Sequence, residues 1–152
     1  MAADAAAPTR REALAAGLGL AASAWVRPAV ARDSLAAAVA KFAAGTPVHE
    51  GKVAIEVAPL VENGNTVPIK VTVDSPMSAE SHVQTIAIFN ERNPLAEVAT
   101  LHLGPRAGRA SVSLRIRLAD SQKLVAVARL SDGSLWSSTA EVIVTLAGCV
   151  EN

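Results

Sequence analysis

Strict alternation of apolar and polar residues is the feature that most constrains this chain. Val112, Leu114, Ile116 and Leu118 follow one another at every second position, with Arg115 and Arg117 on the other side. Val53, Ile55 and Val57 alternate in the same way, as do Val67, Ile69, Val71 and Val73 after the turn Asn63-Gly64-Asn65. Successive side chains of a strand point to opposite faces, so a period of two fits strands with one face in a core. Thr85 to Phe89, Val98 to Leu103, and Val142, Val144 and Leu146 add further strands. Leu124 to Leu130 is apolar on both faces and therefore central to a sheet. Asp132-Gly133 is a tight hairpin signal leading into Leu135-Trp136. Pro59, Pro68, Pro94 and Pro105 stand at strand starts or between strands, where a missing N–H costs little. About eight short strands with regularly spaced turns predict a mainly β chain, an immunoglobulin-like antiparallel β-sandwich.

One helix precedes the strands. Asp33 or Ser34 can cap it, because a side-chain oxygen there accepts from the free N–H groups of the first turn. Leu35, Ala38, Val39 and Phe42 form its apolar stripe. Gly45 suits the left-handed residue after the last turn, and Pro47 blocks continuation. The helix is expected to dock on the sandwich. Because the domain is small and the stripe must be buried, a stable complex with a second sandwich is also expected.

Residues 1–31 read as an address. Thr9-Arg10-Arg11 supplies paired positive charge, ALAAGLGLAASA follows from Ala13 to Ala24, and Ala29-Val30-Ala31 is an A-x-A cleavage site. The apolar stretch is shorter than the roughly 20 residues of a membrane-spanning helix. The pattern predicts a twin-arginine signal peptide, with an ordinary secretory signal or an amphipathic helix as the alternatives. Either export route leads to the periplasm. The chain then divides into a signal (1–31), a sandwich with its N-terminal helix (32–146) and a mobile C-terminal arm (147–152).

Charge and composition narrow the function classes. With 14 basic and 14 acidic residues there is no surplus to neutralise phosphates, and 3% aromatic residues leave few platforms for stacking bases. No nucleic-acid role is expected. A single cysteine, Cys149, precludes an internal disulfide and a multi-cysteine metal site. His49, His82 and His102 lie on different segments without ligand spacing and read as surface or partly buried imidazoles. Arg106 and Arg109 flank Gly108 in GPRAGRA, which reads as a solvated hairpin loop, the other reading being an anion or partner contact.

Cys149 is the sharpest candidate for chemistry. It lies just beyond the last strand pattern, in Leu146-Ala147-Gly148-Cys149-Val150-Glu151-Asn152. Three extended residues reach about 10 Å. The thiol is thus a nucleophile on a short arm rather than a core residue. An unpaired thiol in an oxidising compartment invites random pairing and oxidation, which argues for a use. An incidental free thiol is the alternative.

Several segments together resemble the SoxY family, the sulfur-carrier subunits of the SoxYZ complex of periplasmic thiosulfate oxidation. They are Glu62-Asn63-Gly64 with Val67-Pro68, Val73-Asp74-Ser75-Pro76-Met77, Asn93-Pro94, and Leu101-His102-Leu103-Gly104-Pro105. Arg115-Ile116-Arg117-Leu118-Ala119, Gln122 with Val125-Ala126-Val127-Ala128, and Ser131-Asp132-Gly133-Ser134-Leu135-Trp136 follow in order. The resemblance implies a carrier protein and not an enzyme, with Cys149 as the covalent attachment point for sulfur. It implies no cofactor and no metal, and no membrane association after export. The arm would be formed by Ala147, Gly148 and Val150 around the cysteine. The implied partners are a SoxZ-like sandwich subunit, a SoxAX-type cytochrome, a SoxB-type hydrolase and a sulfur dehydrogenase.

The tail departs from the family's usual Gly-Gly-Cys-Gly-Gly. Ala147 replaces the first glycine and Val150-Glu151-Asn152 the last two. The arm is bulkier beyond the thiol, and Glu151 and the terminal carboxylate disfavour a neighbouring thiolate or anionic adduct. The alternative reading of the whole chain is a non-catalytic periplasmic binding or structural sandwich with an incidental cysteine. A thiol enzyme is a third class, and a nucleophile on a mobile arm makes a poor preorganised site.

Overall fold

The computed structural model describes residues 34–148. The residues read as a signal peptide, and Cys149 to Asn152, lie outside that range. Helix α1 spans Leu35–Ala43. Of the two candidate caps Ser34 serves, its side chain accepting from the Ala37 N–H at 3.2 Å. The left-handed turn begins one residue earlier than expected. Ala44 adopts φ 50° and donates its N–H to the Ala40 carbonyl, and Gly45 follows at φ 85°.

Nine strands follow: β1 (Val48–Glu50), β2 (Val53–Val57), β3 (Leu60–Val61), β4 (Val67–Val73), β5 (Val83–Asn90), β6 (Glu97–His102), β7 (Ser111–Ile116), β8 (Gln122–Leu130) and β9 (Leu135–Val144). They form two sheets, one ordered β1-β9-β8-β5-β6 with β3 also paired to β9, the other β2-β4-β7. The expected sandwich is therefore present, with two refinements. Leu135-Trp136 and Val142 to Val144, read as separate strands, belong to one strand of ten residues. Its polar middle is carried by pairing, Ser137 opposite Val127 and Ser138 opposite Ala126. The short strands β1 and β3 escape a hydrophobic pattern altogether. Both run parallel to β9, while the other pairings are antiparallel.

The core lies between the sheets. Val67, Ile69, Val71 and Val73 of β4 face a cluster that includes Ile86, Ile88, Leu124, Ala126, Ala128 and Val142. The opposite faces of β5 and β8 carry Ala87, Phe89 and Val127, and with Leu135 these pack against Ala38, Ala43, Leu35, Val39 and Phe42 of α1. This second cluster explains the two-faced apolar run of β8, which sits between β9 and β5 as expected of a central strand. The Phe42 and Phe89 rings meet edge to face at 5.9 Å. Arg129 donates from Nη2 to the Phe42 carbonyl at 2.8 Å, with its guanidinium over the Phe42 ring. Full burial of a side chain such as Phe89 stabilises by about 1.5–3 kcal/mol. The helix thus docks on its own sheet, with Ala38 buried and Leu35, Val39 and Phe42 half-buried.

Candidate functional site

The segment leading to Cys149 is built into the end of the sandwich. The chain from Pro59 to Gly64 runs beside the chain from Ile143 to Gly148. Ile143 donates its N–H to the Pro59 carbonyl at 2.8 Å, Thr145 to Val61 at 3.0 Å, and Gly64 to Leu146 at 2.8 Å. Leu118 then closes the junction. Its N–H donates to the Gly64 carbonyl and its own carbonyl accepts the Gly148 N–H, both at 2.8 Å. Leu118 lies past the end of β7, and its side chain is fully buried.

Close approach, rather than a left-handed backbone, is what needs glycine here. A Cβ on Gly64 would collide with the Leu118 carbonyl oxygen, stand 2.8 Å from the Gly148 nitrogen and 3.0 Å from Val144 Cγ1. A Cβ on Gly148 would collide with the Gly64 carbonyl and stand 2.8 Å from the Asn65 nitrogen. Neither residue has a positive φ. Separations under 3 Å are far inside van der Waals contact, so the backbones would have to part.

A polar network shapes the loop that carries Leu118. Asn93 donates from Nδ2 to the Arg117 carbonyl at 2.7 Å, while its Oδ1 accepts the Ala119 N–H at 2.9 Å and Gln122 Nε2 at 3.0 Å. Gln122 also donates to the Asp120 carbonyl and accepts the Arg92 N–H. Asn90, fully buried, accepts the Asn93 N–H and donates to the Leu95 carbonyl. Segments that stand far apart in sequence, 62–65, Asn93, 117–119 and Gln122, therefore converge around the root of the C-terminal segment. Leu118, Asn93 and Gln122 were not among the expected site residues. The Asn63-Gly64-Asn65 signal was visible, but only as a turn, and the turn is there: Asn65 donates its N–H to Asn63 Oδ1 at 2.9 Å.

Of the expected arm residues, Ala147 and Gly148 are half-buried, with Gly148 tied to Leu118. Cys149 and Val150 lie outside the described residues. Three large apolar side chains stand exposed on the two paired segments: Leu60 and Ile143, register partners each 59% exposed, and Leu146 at 61%.

The histidines stay apart, as their spacing suggested. His49 stacks at a tilt on Trp136, with centroids 5.3 Å apart. His82 places Nδ1 3.2 Å from the Ser78 carbonyl, and His102 places Nδ1 3.3 Å from Thr85 Oγ1. Among the described residues, no group of three or more His, Cys, Asp or Glu side chains is placed to hold a metal ion. Arg106 and Arg109 are exposed beside a 3-10 turn at Pro105–Ala107. The expected hairpin is corrected here. β6 and β7 belong to different sheets, so this loop crosses from one layer to the other.

Fold and site define a class: a two-sheet sandwich with one docked helix, whose end grips the segment leading to a lone C-terminal cysteine. The chain belongs to the SoxY family, "Sulfur oxidation protein SoxY", whose model matches residues 39–149 and so ends on that cysteine. The sulfur carrier protein SoxY from Chlorobium limicola f thiosulfatophilum is similar in structure, with TM-score 0.63 and 32% identity, over 74% of this chain and 97% of that one. A superoxide reductase (neelaredoxin) from Ignicoccus hospitalis shares the fold, with TM-score 0.55 and 20% identity over 61% of this chain and 79% of its own. So does a putative superoxide reductase from Thermotoga maritima, with TM-score 0.53 and 24% identity over 68% and 89%. No curated protein sequence matches significantly.

Proposed function

We propose that this chain carries sulfur intermediates covalently on the Cys149 thiol, as the substrate-bearing subunit of a periplasmic thiosulfate-oxidising system. The observation that carries the reading is the extent of the family match, which runs to Cys149, the only cysteine of the chain. The similarity to a sulfur carrier along 97% of that protein's length supports it.

Loading joins the thiol to the outer sulfur of thiosulfate. A new S–S bond forms, the thiol proton leaves and two electrons pass to a c-type cytochrome of the SoxAX class, giving a cysteine S-thiosulfonate. Water then attacks the sulfonate sulfur under a SoxB-type hydrolase. Sulfate and a proton leave, and a persulfide stays on the cysteine. A sulfur dehydrogenase oxidises that remaining sulfur. The chain itself supplies no acid or base in these steps; it supplies one thiol. One cysteine per chain also avoids an intramolecular disulfide that would trap the carrier.

Intact-protein mass spectrometry tests the reading. Incubated with thiosulfate and the cytochrome partner, the wild-type chain gains a thiosulfate-derived adduct that reductant removes, and Cys149→Ala gains none. An unmodified wild-type mass under those conditions would leave the cysteine incidental.

A further inference from the structure

Resting on the carrier reading, we propose that Gly64 and Gly148, gripped by the Leu118 backbone, are positioning residues that set the root, and hence the reach, of the thiol arm. In this role Gly148 is an anchor and not a hinge. Its N–H is bonded to Leu118, and its Cα faces the Gly64 carbonyl at a distance that no side chain tolerates. Gly64 is held in turn on both sides, its N–H by Leu146 and its carbonyl by Leu118. The fixed backbone therefore extends to the residue immediately before the cysteine. A trans peptide separates consecutive Cα atoms by about 3.8 Å, so Cys149 is tethered one link from a rigid point.

The consequence is a small search volume. The segment that bears the thiol leaves the sandwich from a fixed point at Gly148, instead of from the end of β9 at Val144. Confinement near the reactive geometry lowers the entropic cost of meeting an enzyme pocket.

Gly148→Ala is the primary variant because it lies past the last strand and leaves the core intact. Two readouts are made on the mature full-length chain: amide hydrogen exchange at position 148, and the mobility of a nitroxide attached to Cys149. In the wild type the amide is protected and the nitroxide restricted. In Gly148→Ala exchange at that amide speeds up by roughly tenfold, as expected for one opened hydrogen bond, and the nitroxide becomes mobile. Core amides and the melting temperature stay unchanged, which a general loss of stability would not allow. Gly64→Ala gives the same local signature with some loss of stability.

A second variant inserts two glycines between Gly148 and Cys149. The amide stays protected, the nitroxide becomes mobile, and adduct formation by the cytochrome partner slows by about tenfold. An unprotected amide in the wild type, a nitroxide equally mobile in all variants, or loading indifferent to the insertion would overturn the proposal. Failure of the carrier reading looks different: no adduct forms in any variant, while the exchange and nitroxide differences persist.

Discussion

Individual side chains in this protein act mostly by fixing backbone. Asp132 accepts the Ser134 N–H at 2.9 Å and its hydroxyl at 2.6 Å, and Ser134 Oγ in turn accepts from Trp136 Nε1. Gly133, at φ 83°, completes the turn from β8 to β9. The Ser134 hydroxyl above all, and then the Ser134 N–H, hold the Asp132 carboxyl below its ordinary value of 3.8. A lowered carboxyl stabilises the fold fully above the ordinary value, and that contribution is lost as pH falls through the folded value. Ser134→Ala should therefore raise the Asp132 pKa toward 3.8 and shrink the acid-side loss of stability. Carboxyl NMR titration of both proteins, with melting curves between pH 5 and 2, checks it. An unmoved pKa in Ser134→Ala would show that the hydroxyl is not the cause. Asp132-Gly133 was legible in the sequence because hairpin chemistry is local. The Ser134 contacts follow from the same few residues.

Elements were legible to the extent that their signal was their own. Helix α1 came with its cap, stripe and stop, and β4 and β7 with their alternation, because each pattern reflects one buried face. The end of the helix shows the margin of such reasoning. Gly45 was the natural left-handed residue, yet Ala44 takes φ 50° first. A Cβ in that conformation costs roughly 1 kcal/mol, so Ala44→Gly should stabilise the domain by about 0.5–1 kcal/mol, less what the freer unfolded chain takes back. Urea denaturation of both proteins measures it, and a destabilised variant would mean that helix propensity outweighs the relief. Strands β1 and β3 carry no signal of their own. Val48–Glu50 and Leu60–Val61 are too short to alternate and exist as strands because β9 offers them an edge. The polar centre of β9 is tolerated for the same reason: β8 supplies its partners.

At the scale of the molecule, the helix covers the outer face of β5 and β8, so the larger sheet is buried on both sides near its centre. The carrier reading expects a partner. Co-expressed with a SoxZ-like sandwich subunit, the mature chain should elute as one heterodimer on size exclusion at micromolar concentration. Two monomer peaks would count against a stable pair and leave the chain acting alone.

The sequence by itself determined the layered β architecture, the docked helix and the lone thiol, together with the ordered motifs that resemble SoxY. All of these are written in periodicity, caps, turns and residue identity along short stretches. Only the tertiary structure decided what those motifs do at the end of the sandwich. Residues 64, 118 and 148 meet through backbone hydrogen bonds and the absence of a Cβ, the Asn93 and Gln122 side chains hold the loop around Leu118, and none of this leaves a periodic trace in a sequence. In the sequence Gly148 is one small residue beside a cysteine. In the fold it is the point where the Gly64 and Leu118 backbones take hold of the chain, because there three backbones pass closer than a side chain allows.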